Sequence, residues 1–307
     1  MIQEHSRRFA GVLALAALLS GCVNPPPAPV GHPASSFAAR MDSLAPSLLR
    51  ESGVPGLAVG VIEGGRVAFT RGYGVADRAS GRPMTERTLL NFASVSKPVT
   101  AWGVLRLVER GALPLDAPVN PLLRGWHLPP SEFGTDSVTV RRLLSHTAGL
   151  SVPSAPFFPA DTTLPTREQV LAGQAGDRGP VRVVRRPGER WMYSGGGYIL
   201  LELLVEEASG QPFAEYMRNT VFEPLGMHRT TFGPAAVSGG DVATPYDEEG
   251  NPVAPYRLVG AAAGGLYSSV EDFSRFLTAY TAPGRILGPE TFETMLTDMA
   301  DVELEGV

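Results

Sequence analysis

Ser94 and Lys97 are the two residues of this sequence whose types and spacing most directly allow catalysis. A serine hydroxyl becomes a good nucleophile only when a neighbouring base takes its proton. On a helix, residues three positions apart share a face, so Lys97 lies within hydrogen-bond reach of Ser94. Burial of an ammonium group favours its neutral form, which a general base requires. The spacing therefore predicts covalent catalysis through Ser94, with Lys97 as its proton partner.

Lys97 is also the only lysine in the chain, because 25 of the 26 basic residues other than histidine are arginine. Arginine does not lose its proton in a protein, whereas lysine can. A sequence that uses arginine everywhere else and keeps one lysine indicates proton transfer at this position. Ser96 is the competing nucleophile, but it lies one residue from Lys97 and points to a different helix face, which favours Ser94.

Tyr193 is the third candidate catalytic residue, because it comes shortly before a run of glycines at 195–197. Glycines allow the backbone to approach a ligand closely, and Gly195 is a candidate substrate-binding position. A phenol shuttles protons when a nearby cation stabilises its anion, and Lys97 would supply that cation. The alternative interpretation is a buried aromatic side chain followed by a flexible turn.

Other catalytic arrangements have weaker support in the sequence. His146, in a Ser-His-Thr segment, allows a Ser-His-Asp interpretation. No two histidines have the spacing of metal ligands, and the single cysteine is Cys22, so we expect neither a metal nor a cofactor. The absence of a Gly-x-Ser-x-Gly segment argues against the α/β-hydrolase fold.

The elements that must position these residues follow from periodicity and turn signals. A helix is predicted over 36–51, ending before Gly53, and a hairpin follows with strands 57–62 and 66–73 around a Gly-Gly turn. Ala58 and Gly60 are small, as on a strand against which a helix packs closely. Further helices are predicted over 94–110, 138–144, 197–209, 213–219, 268–280 (opened by a Ser268–Glu271 capping box) and 289–297.

This order predicts a mixed α/β fold in which an antiparallel sheet is flanked by helices and accompanied by a helical region. We expect one domain over 35–307. Its sheet-side subdomain would comprise 35–90 and about 258–307, and its helical subdomain 91–257.

The N-terminal segment has the features of an export signal. Residues 1–21 contain two arginines and an apolar run too short to span a bilayer, and they end in Leu-Ser-Gly before Cys22. This pattern resembles a bacterial lipoprotein cleavage box, which implies lipid attachment to Cys22. An ordinary signal peptide is the alternative. Residues 22–34 are predicted to be a proline-rich linker.

We therefore expect an exported lipoprotein, anchored to a membrane of the bacterial cell envelope on its periplasmic side. The net charge of −5 argues against a nucleic-acid partner, since such proteins normally present a basic face.

Five segments carry a resemblance to known proteins: 93–100, 143–150, 193–198, 223–227 and 264–268. In this order they resemble the serine β-lactamase-related family, which includes class C β-lactamases, D-Ala-D-Ala carboxypeptidases and family VIII-type esterases. The resemblance implies a β-lactamase/transpeptidase-like fold, a small-molecule or peptide acyl substrate and no cofactor. It also implies that Ser94 is acylated, that Lys97 is its proton partner and that Tyr193 is a second general base.

Two departures from the family pattern bear on function. The usual Tyr-x-Asn is Tyr193-Ser194-Gly195 here, which shifts the expected substrate away from β-lactams and towards esters or peptides. The family's third motif, a Lys-Thr-Gly or His-x-Gly strand near the C-terminus, does not occur, so we expect a truncated chain with an incomplete sheet.

The sequence thus predicts a serine hydrolase that forms an acyl-enzyme on an ester, amide or β-lactam-like substrate. The alternative is a catalytically impaired envelope lipoprotein that binds peptidoglycan or a protein partner.

Overall fold

The computed structural model describes residues 33–159, 161–233, 241–254, 257–281 and 284–297. The predicted signal peptide, Cys22 and the predicted linker up to residue 32 lie outside these residues. The first helix, α1 (Pro33–Ser52), begins within the last two residues of that linker. Gly53 adopts a left-handed conformation (φ +70°) directly after it, as a residue that ends a helix commonly does. None of the helices that the structure describes is both long and apolar enough to cross a membrane.

The predicted hairpin is present as β1 (Gly56–Glu63) and β2 (Arg66–Asp77), paired antiparallel. Gly64 and Gly65 join the strands, with φ values of +55° and +74°. A tight hairpin turn of this kind needs positive φ at both central residues, which glycine adopts without strain. β2 extends beyond the predicted end at residue 73, so the hairpin has one long arm.

Six further strands are short, and the sequence periodicity predicted none of them. They are β3 (Arg82–Pro83), β4 (Leu90–Asn91), β5 (Phe157–Phe158), β6 (Thr231–Phe232), β7 (Arg257–Leu258) and β8 (Leu266–Ser268). β3 pairs with β2, β8 lies between β4 and β6, and β5 pairs with β7, all antiparallel. Among the described residues β1 pairs with β2 alone and forms the edge of its sheet.

Each predicted helix is present, with ends shifted by a few residues. The helices are α2 (Ser96–Glu109), α3 (Val140–Leu144), α4 (Arg167–Leu171), α5 (Gly195–Ser209), α6 (Phe213–Met217), α7 (Glu223–Leu225), α8 (Ala261–Gly264), α9 (Val270–Ala279) and α10 (Pro289–Leu296). The short helices α4, α7 and α8 were not predicted. A π-helical segment, Arg218–Phe222, joins α6 to α7.

The core lies where α2 and α5 pack together and against the short helix α8. Both central helices are buried around most of their circumference, as their predominance of apolar residues indicates. Trp102 of α2 contacts the rings of Phe276, Tyr280 and Phe292, which connects α2 to α9 and α10. The helix that follows Ser94 is therefore held rigidly.

One predicted helix cap is wrong. The capping side chain of α9 is Ser269, whose hydroxyl accepts from the Asp272 N–H at 3.2 Å. Ser268 instead ends β8, where its hydroxyl hydrogen-bonds Thr230 Oγ1 at 2.8 Å. The helix begins at Val270, so the serine directly before it supplies the capping hydroxyl, and spacing alone does not distinguish the two adjacent serines.

The expectation that a helix packs closely on the first strand is confirmed at Gly60. A Cβ added there would lie 2.5 Å from Ser274 Oγ and 2.9 Å from Val270 Cγ2, both on α9. These distances leave no room for a methyl group. The absence of a side chain at Gly60 therefore allows α9 to lie directly on the hairpin.

We predict that Gly60→Ala lowers the free energy of unfolding by about 1–3 kcal/mol, the usual cost of overpacking. Denaturant unfolding would measure the change. Gly125→Ala is the matched control, because a Cβ there would meet only Glu168 Oε1 at 4.0 Å. Equal effects of the two substitutions would contradict the packing argument.

Candidate active site

A strained turn presents Ser94 at the surface. Ser94 lies in a single 3-10 turn, Ala93–Val95, just before α2, and Ala93 has a φ of +43°. Asn91 Oδ1 accepts from the Ala93 N–H at 3.0 Å, and the Ser96 hydroxyl donates to the Ala93 carbonyl at 2.6 Å. An unfavourable backbone conformation persists only when its surroundings hold it, and these two bonds do so. Ser94 is exposed, whereas Ser96 is fully buried.

Two of the three residues predicted to carry the chemistry, Lys97 and Tyr193, converge on the hydroxyl of the third, Ser94. Lys97 Nζ lies 3.2 Å from Ser94 Oγ, and the Tyr193 hydroxyl donates to the same oxygen at 2.8 Å. Lys97 Nζ also lies 4.8 Å from the centroid of the Tyr193 ring. Residues separated by about a hundred positions in the chain thus meet at one nucleophilic oxygen.

Lys97 is the buried member of this group, with 6% of its surface exposed. Its Nζ donates to the Ala263 carbonyl at 2.5 Å as well as contacting Ser94 Oγ. The Tyr198 ring lies on another side, with its centroid 5.6 Å from Nζ. Burial of a cation is costly without partners, and a carbonyl with two aromatic faces provides them.

The carbonyl that holds Lys97 is itself held by a buried ion pair. Glu202 of α5 accepts from the Ala262 N–H at 2.8 Å, which fixes the backbone of α8 next to Ala263. Arg167 donates to the other oxygen of Glu202 at 3.0 Å. Burial raises the pKa of Glu202, and the Arg167 charge opposes that rise. Thr100 ties α2 to the same segment by donating to the Ala262 carbonyl at 3.2 Å.

Tyr193 is held by the loop that begins α5. Ser194 caps this helix by accepting from the Gly197 N–H at 3.0 Å, and its hydroxyl donates to the Ser151 carbonyl at 2.8 Å. Ser194, the residue directly after Tyr193, is thereby fixed both to the first turn of α5 and to the segment around residue 151. Tyr193 is consequently directed at Ser94 by backbone that has few alternatives.

Gly195, predicted as a substrate-binding position, does not line the pocket at Ser94. A Cβ at Gly195 would lie 2.8 Å from the Ala155 N atom and 2.9 Å from Ser154 Cα. The space that a side chain would need is filled by this neighbouring backbone, which does line the pocket. Gly195 therefore allows the 153–155 segment to approach the nucleophile.

His146 lies behind Tyr193, and Ser94 is not among its hydrogen-bond partners in the part of the chain that the structure describes. Its Nδ1 accepts from the Ser194 N–H at 3.1 Å, and its ring centroid lies 4.5 Å from that of Tyr193. Burial, assisted by the Lys97 charge, lowers the pKa of His146 to about 4. In a Ser-His-Asp arrangement Nδ1 donates to a carboxylate, so an accepting Nδ1 argues against that interpretation.

Two neighbouring cavities lie beside the nucleophile, and Ser94 lines the smaller of them. The smaller, of about 90 Å³, is lined by Ser94, Lys97 and Tyr193. The larger, of about 520 Å³, shares four lining residues with it: Asn91, Phe157, Leu258 and Gly264. No charged side chain lines the larger cavity among the described residues. In the same part of the chain, no group of three or more His, Cys, Asp or Glu side chains could hold a metal ion.

Comparison with known proteins places this chain in a family. The sequence model described as Beta-lactamase matches residues 36–303. Esterase EstB of Burkholderia gladioli is 33% identical over 311 residues, which cover 89% of this chain and 76% of EstB. A β-lactamase of Pseudomonas fluorescens is 30% identical over 254 residues, with 81% of this chain and 66% of that protein covered.

A solved structure agrees with the sequence matches. The octameric penicillin-binding protein homologue from Pyrococcus abyssi superposes with a TM-score of 0.74 at 34% identity, over 87% of this chain. This chain spans 62% of the length of that homologue. The match confirms the expected mixed α/β fold with antiparallel sheets and flanking helices.

The fold and the Ser-x-x-Lys segment define a β-lactamase/transpeptidase-like protein. The chain belongs to the β-lactamase family, whose homologues here are serine hydrolases named as esterase, β-lactamase or carboxypeptidase. The family resemblance expected from the five sequence segments is confirmed.

Three residues of the site were not anticipated from the sequence. Asn91 braces the turn before Ser94, the Ala263 carbonyl binds Lys97, and Glu202 holds the backbone beside Ala263. Every residue has a backbone carbonyl, so the residue type at position 263 does not indicate that its carbonyl binds Lys97. Glu202 alone carried a signal, because it is a carboxylate on the apolar helix α5, where a buried charge needs a partner.

Proposed function

We propose that this chain hydrolyses neutral esters through an acyl-enzyme formed on Ser94. The observation that carries the proposal is the convergence of Lys97 Nζ and the Tyr193 hydroxyl on Ser94 Oγ, at 3.2 and 2.8 Å. These distances are within the reach that general acid–base catalysis requires. The arrangement gives the nucleophile two neighbours able to exchange protons with it.

The first half of the proposed reaction forms the acyl-enzyme. Ser94 Oγ attacks the ester carbonyl carbon while its proton passes to the Lys97–Tyr193 pair. The bond from carbon to the leaving oxygen then breaks, and the alcohol takes the proton from the Tyr193–Lys97 pair. In the second half, water attacks the acyl carbon, gives a proton to the same pair, and Ser94 Oγ regains a proton as the acid leaves.

The negative charge that develops on the carbonyl oxygen needs hydrogen-bond donors. The first hydrogen bond of the 3-10 turn comes from the Val95 N–H to the Phe92 carbonyl at 2.9 Å. The N–H of Ser94 precedes it, and the first N–H groups of a helical turn have no partner within the turn. We propose the Ser94 N–H as one oxyanion donor. The family resemblance assigns a second donor to the third motif, which these 307 residues do not contain.

The preference for a neutral ester rests on the charges around the cavities. Penicillins and D-Ala-D-Ala peptides carry a free carboxylate close to the scissile bond, and a carboxylate without a cation is costly to bury. Among the described residues, Lys97 is the single cation that lines either cavity, and it already contacts Ser94 and Ala263. The larger cavity is bordered by apolar side chains, including Phe157 and Leu258, which suit an apolar acyl or alcohol group.

A matched pair of substrates tests this proposal. We predict that p-nitrophenyl valerate is hydrolysed with a kcat/KM at least about 100-fold above that of mono-p-nitrophenyl glutarate, which has the same length and a terminal carboxylate. Nitrocefin and a D-Ala-D-Ala peptide are expected to rank below the valerate ester. Faster turnover of nitrocefin or of the D-Ala-D-Ala peptide than of the valerate ester would change the assignment to a β-lactamase or a peptidase. If the chain hydrolyses none of these substrates and does not react with a fluorophosphonate, the proposal that it is an enzyme is refuted.

A further inference from the structure

His146 contacts the two backbone amides that flank Tyr193. The Met192 N–H donates to the His146 carbonyl at 2.7 Å, and the Ser194 N–H donates to His146 Nδ1 at 3.1 Å. One residue therefore fixes the chain immediately before and immediately after the tyrosine. With both flanking amides bound, the Cα of Tyr193 has little freedom to move relative to His146.

The His146 ring also fixes the direction of the Tyr193 side chain. The two rings lie 4.5 Å apart with an interplanar angle of 34°, so they are in partly stacked contact. Tyr198 contacts the imidazole as well, at 5.2 Å between ring centroids, and its hydroxyl donates to the Leu144 carbonyl at 3.1 Å. The imidazole is thus held by a second ring whose own position is fixed.

The backbone at His146 is strained, with a φ of +58°. Non-glycine residues adopt this conformation rarely, and asparagine and histidine do so more readily than most. The lowered pKa keeps the ring neutral at pH 7, so that Nδ1 has a lone pair to accept the Ser194 N–H. His146 thus combines a strained backbone with a neutral acceptor nitrogen that binds the loop carrying Tyr193.

We propose that His146 is a positioning residue for Tyr193: it holds the phenol against Ser94 and takes no proton from the substrate or from Ser94. This inference rests on the proposed function, since it deepens the account of the same site. It differs from a Ser-His-Asp arrangement, because no carboxylate is a hydrogen-bond partner of His146 in the described part of the chain.

Two substitutions separate the contacts that His146 makes. Asn at 146 keeps an oxygen acceptor near the place of Nδ1 and tolerates a positive φ, whereas Phe keeps a ring and loses the acceptor. We predict that His146→Phe lowers kcat for p-nitrophenyl valerate about 30- to 100-fold with KM changed less than about threefold, as expected when a catalytic group is displaced by part of an ångström. His146→Asn should lower kcat by less than about tenfold.

A double-mutant cycle with Tyr193→Phe shows whether the effect runs through the tyrosine. In the Tyr193→Phe background, His146→Phe should lower kcat by less than about threefold more. The same 30- to 100-fold loss in both backgrounds would overturn the proposal, and so would a loss of about 10⁴-fold in His146→Asn, which would mark a catalytic base. If His146→Phe does not fold, the cycle is run with His146→Asn, whose effect should disappear in the same background.

A crystal structure of His146→Phe, or of His146→Asn if the Phe variant does not fold, gives a readout that does not need turnover. The Tyr193 hydroxyl should lie beyond hydrogen-bond distance of Ser94 Oγ, compared with 2.8 Å here. An unmoved tyrosine would refute the positioning role even if the wild type proved active. An inactive wild type with a displaced tyrosine would instead refute the proposed function and support the role of His146.

Discussion

Replacing Ser94 by alanine is expected to abolish ester hydrolysis and fluorophosphonate labelling together, with kcat lowered about 10⁴- to 10⁶-fold, the usual cost of losing a nucleophile. The substitution removes the one atom on which Lys97 Nζ and the Tyr193 hydroxyl converge. Ser94 is exposed and lies before α2 rather than inside it, so the fold should survive. Mass spectrometry of the probe-treated protein measures the loss of labelling directly.

Ser96→Ala is the matched control for this prediction. Ser96 is the other serine of the motif, and its hydroxyl donates to the Ala93 carbonyl and accepts from the Leu266 N–H at 2.9 Å. Removal of the Ser96 hydroxyl leaves the buried Leu266 N–H without this partner and should lower the free energy of unfolding by about 1–3 kcal/mol. Labelling at Ser94 should remain but be slower than in the wild type, because the Ser96 hydroxyl makes one of the two bonds that hold the turn at Ala93. Equal labelling of wild type and Ser94→Ala would disprove the nucleophile assignment.

Lys97→Arg is expected to lower kcat about 10²- to 10⁴-fold, although the substitution keeps the positive charge. Arginine does not give up its proton at neutral pH, so it cannot accept the proton of Ser94. General acid–base groups contribute effects of this size. The planar guanidinium also needs more room than Nζ, which lies between Ser94 Oγ and the Ala263 carbonyl. The rate of acylation by p-nitrophenyl valerate measures the effect.

Lys97→Met completes this comparison, because methionine keeps a flexible stem of similar length and removes the charge. If Lys97 acts by taking a proton, both variants should be slow. If it acts only as a fixed charge, Lys97→Arg should keep more than about a tenth of the wild-type rate while Lys97→Met loses it. The second pattern would refute the proton-transfer role and leave the family membership untouched.

The parts of the site that sequence reasoning reached depend on local spacing. Ser94 and Lys97 are three residues apart, and the turn and helix between them leave little choice about their proximity. The Gly-Gly hairpin and the close packing at Gly60 are likewise local consequences of a missing side chain. Tyr193 was reached through the glycines that follow it and through the family resemblance.

What sequence reasoning did not reach depends on long-range contacts. The short strands β4 and β8 pair only two residues each, too few for an alternating pattern, yet they support the turn before Ser94. The Lys97 partner Ala263 lies more than 160 positions away and acts through its backbone. In α1, Leu44 and Leu48 are 49% and 42% exposed whereas Ala45 is fully buried, so the large apolar residues of this helix do not mark its buried face.

The single lysine gives this chain a further experimental use. Growth on lysine labelled with ¹³C at Cε would give one lysine side-chain signal, because Lys97 is the only lysine in the 307 residues. That carbon is bonded to Nζ, which contacts both Ser94 Oγ and the Ala263 carbonyl. Its NMR chemical shift would report the gain and loss of a proton at this one atom without an assignment step. Acylation could then be followed in solution from the lysine, with substrates that release no dye.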